Sequence, residues 1–214
     1  MMYSFMDQEN RAPVYIVKNG LDPKGCESMI EALKDKTEIA SHSTPEGLST
    51  NTEGTRDSTV FWFMDLQLKE TLDNWVKVAN YQAGWRYDIT GQEMFQFTKY
   101  NKDQHYDWHI DGGGCHGCVR NYTFEKPNSL LEICKPDLAG TVRKISISAV
   151  LNDDYEGGDF QTMFIDAGKT TVSTIKPRKG DVIIFPSSLT HRVLPVTKGT
   201  RYSIVAWYAG PPFK

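Results

Sequence analysis

From residue 94 onward the chain is written in short segments with a period of two, and this constrains the fold more than any other feature. Met94-Phe95-Gln96-Phe97-Thr98-Lys99-Tyr100 alternates as a strand does, with successive side chains on opposite faces. The same reading predicts strands over 145–151, 159–165, 171–175, 181–185, 191–196 and 201–208. Gly157-Gly158, Gly168, Pro177 with Gly180, Pro186 and Gly199 separate them; glycine and proline punctuate strands because they favour turns. Many short strands at close spacing predict an antiparallel sandwich or barrel.

The first ninety residues read differently. Asp22 suits a helix N-cap, with Pro23 in the first turn and Met29, Ile30 and Leu33 as a narrow apolar stripe. Leu68, Leu72, Trp75, Val76 and Ala79 return to helical spacing over 67–80. Val14-Tyr15-Ile16-Val17 predicts an edge strand and Val60-Phe61-Trp62-Phe63 a short one. The polar stretch 40–58 reads as a long surface loop. Helices before residue 90 and strands after it predict an α+β fold, with helices packed on a β core. Without a repeat or a low-complexity linker, residues 1–214 read as a single domain. Residues 1–90 would form its helical support region and 91–210 its β core. A chain of 214 residues buries enough surface to need no disulfide or metal staple.

Charge and hydropathy exclude some functions. Lys+Arg number 24 against 27 Asp+Glu, a net charge of -3. That is not the basic excess of a nucleic-acid binder, so no nucleic-acid partner is expected. No apolar run approaches the ~18 residues of a membrane span, and the N-terminus lacks a basic patch followed by an apolar stretch. The four cysteines, Cys26, Cys115, Cys118 and Cys134, are therefore expected as reduced thiols and the protein as cytoplasmic.

The segment with chemical content is Tyr106-Asp107-Trp108-His109-Ile110-Asp111. On an extended strand His109 and Asp111 point to one side. A lone His-x-Asp pair is weak, but the end of the chain strengthens it. His191 opens a strand after Phe185-Pro186-Ser187, and Arg201 follows ten residues later. Arg201, Ser203, Val205 and Trp207 share one face of the last strand. A buried Arg needs an anionic partner, and a planar guanidinium suits a carboxylate. Two His and one carboxylate make the facial triad of non-haem Fe(II) oxygenases, which leaves positions open for cosubstrate and dioxygen.

With those residues in place, the chain resembles the Fe(II)/2-oxoglutarate-dependent dioxygenases of the prolyl 4-hydroxylase-like superfamily. It is most similar to the bacterial and phage PKHD-type hydroxylases. His109, Asp111, His191 and Arg201 fall on the pattern of that family. Phe95–Tyr100, Leu151-Asn152, Tyr155-Glu156-Gly157-Gly158-Asp159-Phe160, Phe185-Pro186-Ser187 and Arg56-Asp57-Ser58 with Trp62 match its flanking segments, over roughly residues 55–210. The resemblance implies a double-stranded β-helix, a jelly roll with helices on one side. It implies Fe(II) held by His109, Asp111 and His191, with 2-oxoglutarate and O2 as cosubstrates and ascorbate as accessory reductant. Arg201 would pair with the far carboxylate of 2-oxoglutarate. Tyr100 would be its hydroxyl partner or else an aromatic core residue, with Ser203 beside Arg201. Trp207 would line the pocket or pack in the core. The implied reaction hydroxylates an unactivated C–H of a prolyl peptide or protein and yields succinate and CO2. A free amino acid, another side chain or a small molecule is the alternative target, and a non-catalytic barrel the remote one.

Two points stay open in the sequence. Ser146, Ser148 and Val150 oppose Ile145, Ile147, Ala149 and Leu151 on one strand. Their polar face is either the wet interior of an active site or a solvated exterior. Between Asp111 and Arg143, Gly112-Gly113-Gly114-Cys115-His116-Gly117-Cys118 suggests a hinged lid. Cys115, Cys118 and Cys134, with His116, have the ligand types of a structural zinc site; a redox pair or plain surface thiols are the other readings.

Overall fold

A computed structural model describes residues 11–39, 42–43, 49–50, 55–112, 138, 140–166 and 168–213. Two sheets face each other. The larger runs in the order Tyr15–Val17, Val182–Pro186, Val142–Val150, Arg201–Gly210, Phe95–Tyr100, Thr59–Phe63, Glu38–Ile39, with Gly91–Gln92 beside Arg201–Gly210. The smaller runs Lys169–Ile175, Phe160–Asp166, Thr190–Val193, His105–His109, Arg56–Asp57. Every pairing in these two sheets is antiparallel. This is the expected α+β double-stranded β-helix.

Both predicted helices form. In α1 (Pro23–Leu33) Asp22 caps the first turn by accepting from the Gly25 amide. In α2 (Leu66–Gln82) Asp65 does the same for Leu68. Such caps satisfy amides that the first turn leaves unbonded. The apolar stripe of α2 buries Leu68, Leu72, Val76 and Ala79 against the larger sheet, and α1 adds Cys26 and Leu33. Burial pushes the Cys26 thiol up to about 11, so it serves as a small core residue. No helix among the described residues is long and apolar enough to cross a membrane.

Period two sorts the larger sheet into two faces. Phe95, Phe97, Ile145, Ile147, Ala149, Val182, Ile184, Ile204 and Ala206 pack in one cluster with the helices. Alternate residues turn into the space between the sheets, where Tyr100, Ile183 and Phe185 meet Phe160, Val193 and Val196. Each fully buried Leu, Ile or Phe contributes roughly 1.5–3 kcal/mol, so the helix side holds most of the hydrophobic stabilisation.

The strands differ from the sequence reading in three places. The expected strand 191–196 is divided into Thr190–Val193 and Val196–Lys198, because Pro195 has no amide to continue a ladder. The stretch 40–58 is not all loop: Arg56–Asp57 pairs with His105 and Tyr106, His42–Ser43 pairs with Ser49–Thr50, and Ser58 is buried. The region before residue 91 also adds Glu38–Ile39 to the larger sheet, beyond the two strands expected there, which form as Tyr15–Val17 and Thr59–Phe63. Strands of two residues are too short to announce themselves by periodicity.

Candidate active site

The strand His105–His109 lies beside Thr190–Val193, and His109 pairs directly with His191. The ladder slips there: Val193 pairs with Tyr106, so three steps on one strand meet two on the other. This is a β-bulge, and it turns Tyr106 and His109 to the same face although they are three residues apart. Asp111 stands two residues past the end of the strand. Its amide and that of Gly112 both donate to the Ser187 carbonyl at 3.0 Å. The turn after Pro186 therefore fixes the aspartate, where the sequence reading had relied on strand alternation alone.

The result is a cluster of His109, Asp111 and His191 whose candidate ligand atoms all lie within 4.8 Å of one another. Each His Nε2 is 3.7 Å from one Asp111 oxygen, too far for a hydrogen bond. His109 Nδ1 is 2.7 Å from the Asp107 carbonyl oxygen and His191 Nδ1 2.8 Å from that of Leu189. A carbonyl only accepts, so both Nδ1 atoms carry the proton and both Nε2 lone pairs face the cluster. Burial, with His191 nearby, pushes His109 down to about 4, against the pull of Asp111. Burial would raise Asp111, but His191, Arg143 and His109 together hold it at about 2. Neutral imidazole beside carboxylate is the protonation state that metal binding requires.

The polar face of Val142–Val150 points inward. Ser146, Ser148 and Val150 are all buried. Ser146 bonds the Ser187 hydroxyl at 2.9 Å and also reaches Asp111. This settles the question left open by the sequence in favour of the interior.

Arg201 is fully buried, with 0% of its surface exposed. Nη1 donates to Ser203 Oγ at 3.0 Å, while Nε and Nη2 have no partner among the described residues. Tyr100 pairs with Arg201 across the sheet, its ring 5.6 Å from the guanidinium carbon. No salt bridge involves Arg201 among the described residues. A buried guanidinium with two unpartnered nitrogens is costly unless an anion joins it, so its surroundings fit a carboxylate ligand. Gly158 makes the room: a Cβ there would sit 3.0 Å from Arg201 Cδ, and its φ of +60° is one that glycine tolerates.

Trp207 lies six residues further along the strand, about 20 Å from Arg201. It stacks under the Arg143 guanidinium at 4.0 Å and against Trp62 at 5.6 Å. Arg143 makes two hydrogen bonds to Glu93, at 2.7 and 2.6 Å, and one to the Asp111 carbonyl at 3.3 Å. Trp207 thus borders the metal-ligand cluster through Arg143 and stands apart from the guanidinium of Arg201. The roles of Arg143 and Glu93 were missed in the sequence. The signal available there was weak, since neither alternation nor motif spacing pairs two residues fifty positions apart. Cys115, His116, Cys118 and Cys134, and the lid expected between Asp111 and Arg143, lie outside the described residues.

Two inward-facing sheets, a His-Asp-His cluster and a buried unpaired Arg define a class of protein, and the sequence comparison gives its family. Residues 95–209 match the 2OG-Fe(II) oxygenase superfamily, and the chain belongs to it. Among curated relatives, a PKHD-type hydroxylase of Janthinobacterium sp. (strain Marseille) is 34% identical over 111 residues, covering 52% of this chain and 41% of the relative. Human prolyl 3-hydroxylase 2 is 40% identical over 83 residues, 38% of this chain and 12% of that one. The chain thus spans less than half the length of either. Among solved structures, a Trichoplax adhaerens prolyl hydroxylase, in complex with a hypoxia inducible factor oxygen degradation domain peptide fragment, superposes with a TM-score of 0.64. It is 20% identical and covers 92% of this chain and 83% of its own, a likeness of fold.

Proposed function

We propose that this chain is an Fe(II)- and 2-oxoglutarate-dependent hydroxylase acting on prolyl residues of a peptide or protein in the cytosol. The observation that carries the cosubstrate is the buried guanidinium of Arg201, whose Nε and Nη2 find no partner among the described residues, in the same barrel as the His-Asp-His cluster. In this reading His109, Asp111 and His191 hold the iron. Arg201 binds the far carboxylate of 2-oxoglutarate, with Ser203 fixing the guanidinium and Tyr100 closing the pocket. Bound iron, with 2-oxoglutarate and O2, supplies the oxidising chemistry that hydroxylates an unactivated C–H and releases succinate and CO2.

The remaining work falls to the protein. The two Nδ1–carbonyl bonds keep the imidazoles in the tautomer that leaves Nε2 free. The apolar wall of Phe160, Phe185 and Val193 keeps water from the His191 side. Trp62, which is exposed, and Arg143, which Glu93 holds over the buried Trp207, form a rim of one aromatic face and a cation. Such a rim can stack a pyrrolidine ring and donate to a peptide carbonyl. The prolyl assignment is supported by that rim and by the names of the relatives.

The test is succinate formation from 2-oxoglutarate by anaerobically prepared protein reconstituted with Fe(II) and ascorbate, with and without proline-containing peptides. Peptide-stimulated succinate with a +16 Da product is the expected result. Succinate without a hydroxylated peptide moves the target to a free amino acid, another side chain or a small molecule. Absence of succinate from iron-loaded protein overturns the oxygenase reading.

A further inference from the structure

The two histidines of the cluster are held in different ways. His191 is almost fully buried, with Phe160 at 5.5 Å and Phe185 at 4.6 Å against its ring. The hydrophobic core therefore fixes its plane. His109 sits at the end of a strand that is only partly buried. One hydrogen bond from Nδ1 sets its tautomer but leaves the ring free to tilt about that bond. What packs flat on His109 is Tyr106, with ring centroids 3.5 Å apart and planes 11° apart, an arrangement made by the bulge. The Arg56 guanidinium also lies over the Tyr106 ring, at 4.7 Å. Arg56 is in turn tied down: Nε donates to Ser58 Oγ and Nη2 to Gln96 Oε1, both at 2.8 Å. Gln96 Oε1 accepts again from Thr98 Oγ1 at 3.2 Å. Gln96 and Thr98 are buried on the inner face of the larger sheet.

We propose that Gln96, Arg56 and Tyr106 form a positioning relay, anchored in one sheet, that holds the His109 imidazole of the other sheet in its metal-binding orientation. The role rests on the reading of His109 as a metal ligand. The physical basis is that cation–π and stacking contacts constrain a ring plane where a single hydrogen bond does not. Groups behind a ligand also set its affinity, typically by 10–100-fold in the metal constant. None of the three residues needs to touch iron or substrate to act in this way.

The experiment titrates apo-protein with Co(II), reading the dissociation constant and the visible ligand-field band, with Tm measured in parallel. Tyr106→Leu and Arg56→Met should each weaken Co(II) binding about tenfold or more and alter the band. Tyr106→Phe keeps the ring and should stay within about twofold of wild type. Arg192→Met removes a guanidinium that reaches from the neighbouring strand over the Trp108 ring, at 4.3 Å, and should leave binding and band unchanged. Wild-type behaviour of Tyr106→Leu overturns the relay. So does a loss in Tyr106→Phe as large as in Tyr106→Leu, or in Arg192→Met as large as in Arg56→Met. If Arg56→Met does not fold, the two Tyr106 variants decide. A wild type that binds no Co(II) sinks the metal reading instead. The relay is then judged on the His109 ring resonances of apo-protein, which broaden in Tyr106→Leu if it holds and stay unchanged if it does not.

Discussion

The larger sheet has two faces made by the same strands, and they are built to opposite specifications. Toward the helices it presents Phe95, Phe97, Ile145, Ile147, Ala149, Ile204 and Ala206. Toward the smaller sheet the intervening positions are Gln96, Thr98, Tyr100, Ser146, Ser148, Ser203 and Arg201, all buried. One face is a dry core in which every contact adds stability. The other carries buried polar groups that cost free energy unless each finds a partner. Gln96, Thr98, Ser146 and Ser203 find theirs in one another's neighbourhood or in the site residues. Arg201 does not satisfy Nε and Nη2 among the described residues. The difference teaches that stability and binding have been assigned to opposite sides of one layer, so substitutions on the two sides should separate cleanly.

The largest effect should come from the inner side. His191→Ala removes one of the three candidate ligand atoms of the cluster, which has no fourth candidate among the described residues. Iron binding and 2-oxoglutarate turnover should fall to background, while the far-ultraviolet circular dichroism stays that of wild type. Retained turnover with bound iron would break the assignment of the cluster. On the helix side Phe97→Ala should do the reverse. Truncating a fully buried Phe costs about 3–5 kcal/mol, read as a lower urea midpoint, with turnover per folded molecule preserved at low temperature. A Phe97 variant with wild-type stability but defective cosubstrate binding would show that the two faces are not separable.

Arg201→Met sharpens the contrast further. Losing one half of a buried charge pair typically costs 2–5 kcal/mol of binding, so the KM for 2-oxoglutarate should rise about a hundredfold. The apo-protein should not lose stability, because the substitution replaces a buried cation, two of whose nitrogens find no partner among the described residues, with an apolar side chain of similar length. Thermal unfolding without 2-oxoglutarate tests this: a Tm several degrees below wild type would mean that Arg201 holds the barrel together rather than awaiting a ligand.

The fold was legible because period two survives wherever one face of a strand is wholly apolar. Phe95/Phe97 and Ile145/Ile147/Ala149 could be read directly, and Asp22 with Pro23 and the Met29/Ile30/Leu33 stripe marked the first helix. Strands such as Arg56–Asp57 could not be read, since two residues carry no period. In the candidate site, His109, Asp111, His191 and Arg201 stood out by residue type and spacing. The Tyr106 stack did not, because a bulge shifts the alternation by one position and nothing in the sequence marks a bulge. Arg143 with Glu93 and Arg56 with Gln96 are contacts between distant segments, which only the three-dimensional ladder brings together. Alternation put Trp207 on the Arg201 face of its strand and left pocket lining and core packing both open. What the sequence could not supply were its neighbours, Arg143 and Trp62, which come from other strands.

The smallest predicted effect follows from pH. His109 is held neutral by burial, its pKa falling from 6.5 to about 4. The unfolded chain takes up a proton there as pH drops through 6.5, and the folded chain does not until about 4. More protons bound in the unfolded state mean that stability falls as pH falls. The window is therefore pH 6.5 to about 4, above the region where Asp111, held at about 2, begins to contribute its own loss. Between pH 7 and 5.5 the metal-free protein should lose about 1 kcal/mol from this group, measured by urea unfolding in the presence of a chelator. His109→Phe removes the titrating group and should flatten the curve across that interval. An unchanged slope in the variant would mean that the acid sensitivity originates elsewhere, and that the inner face does not pay for its neutral imidazole in stability.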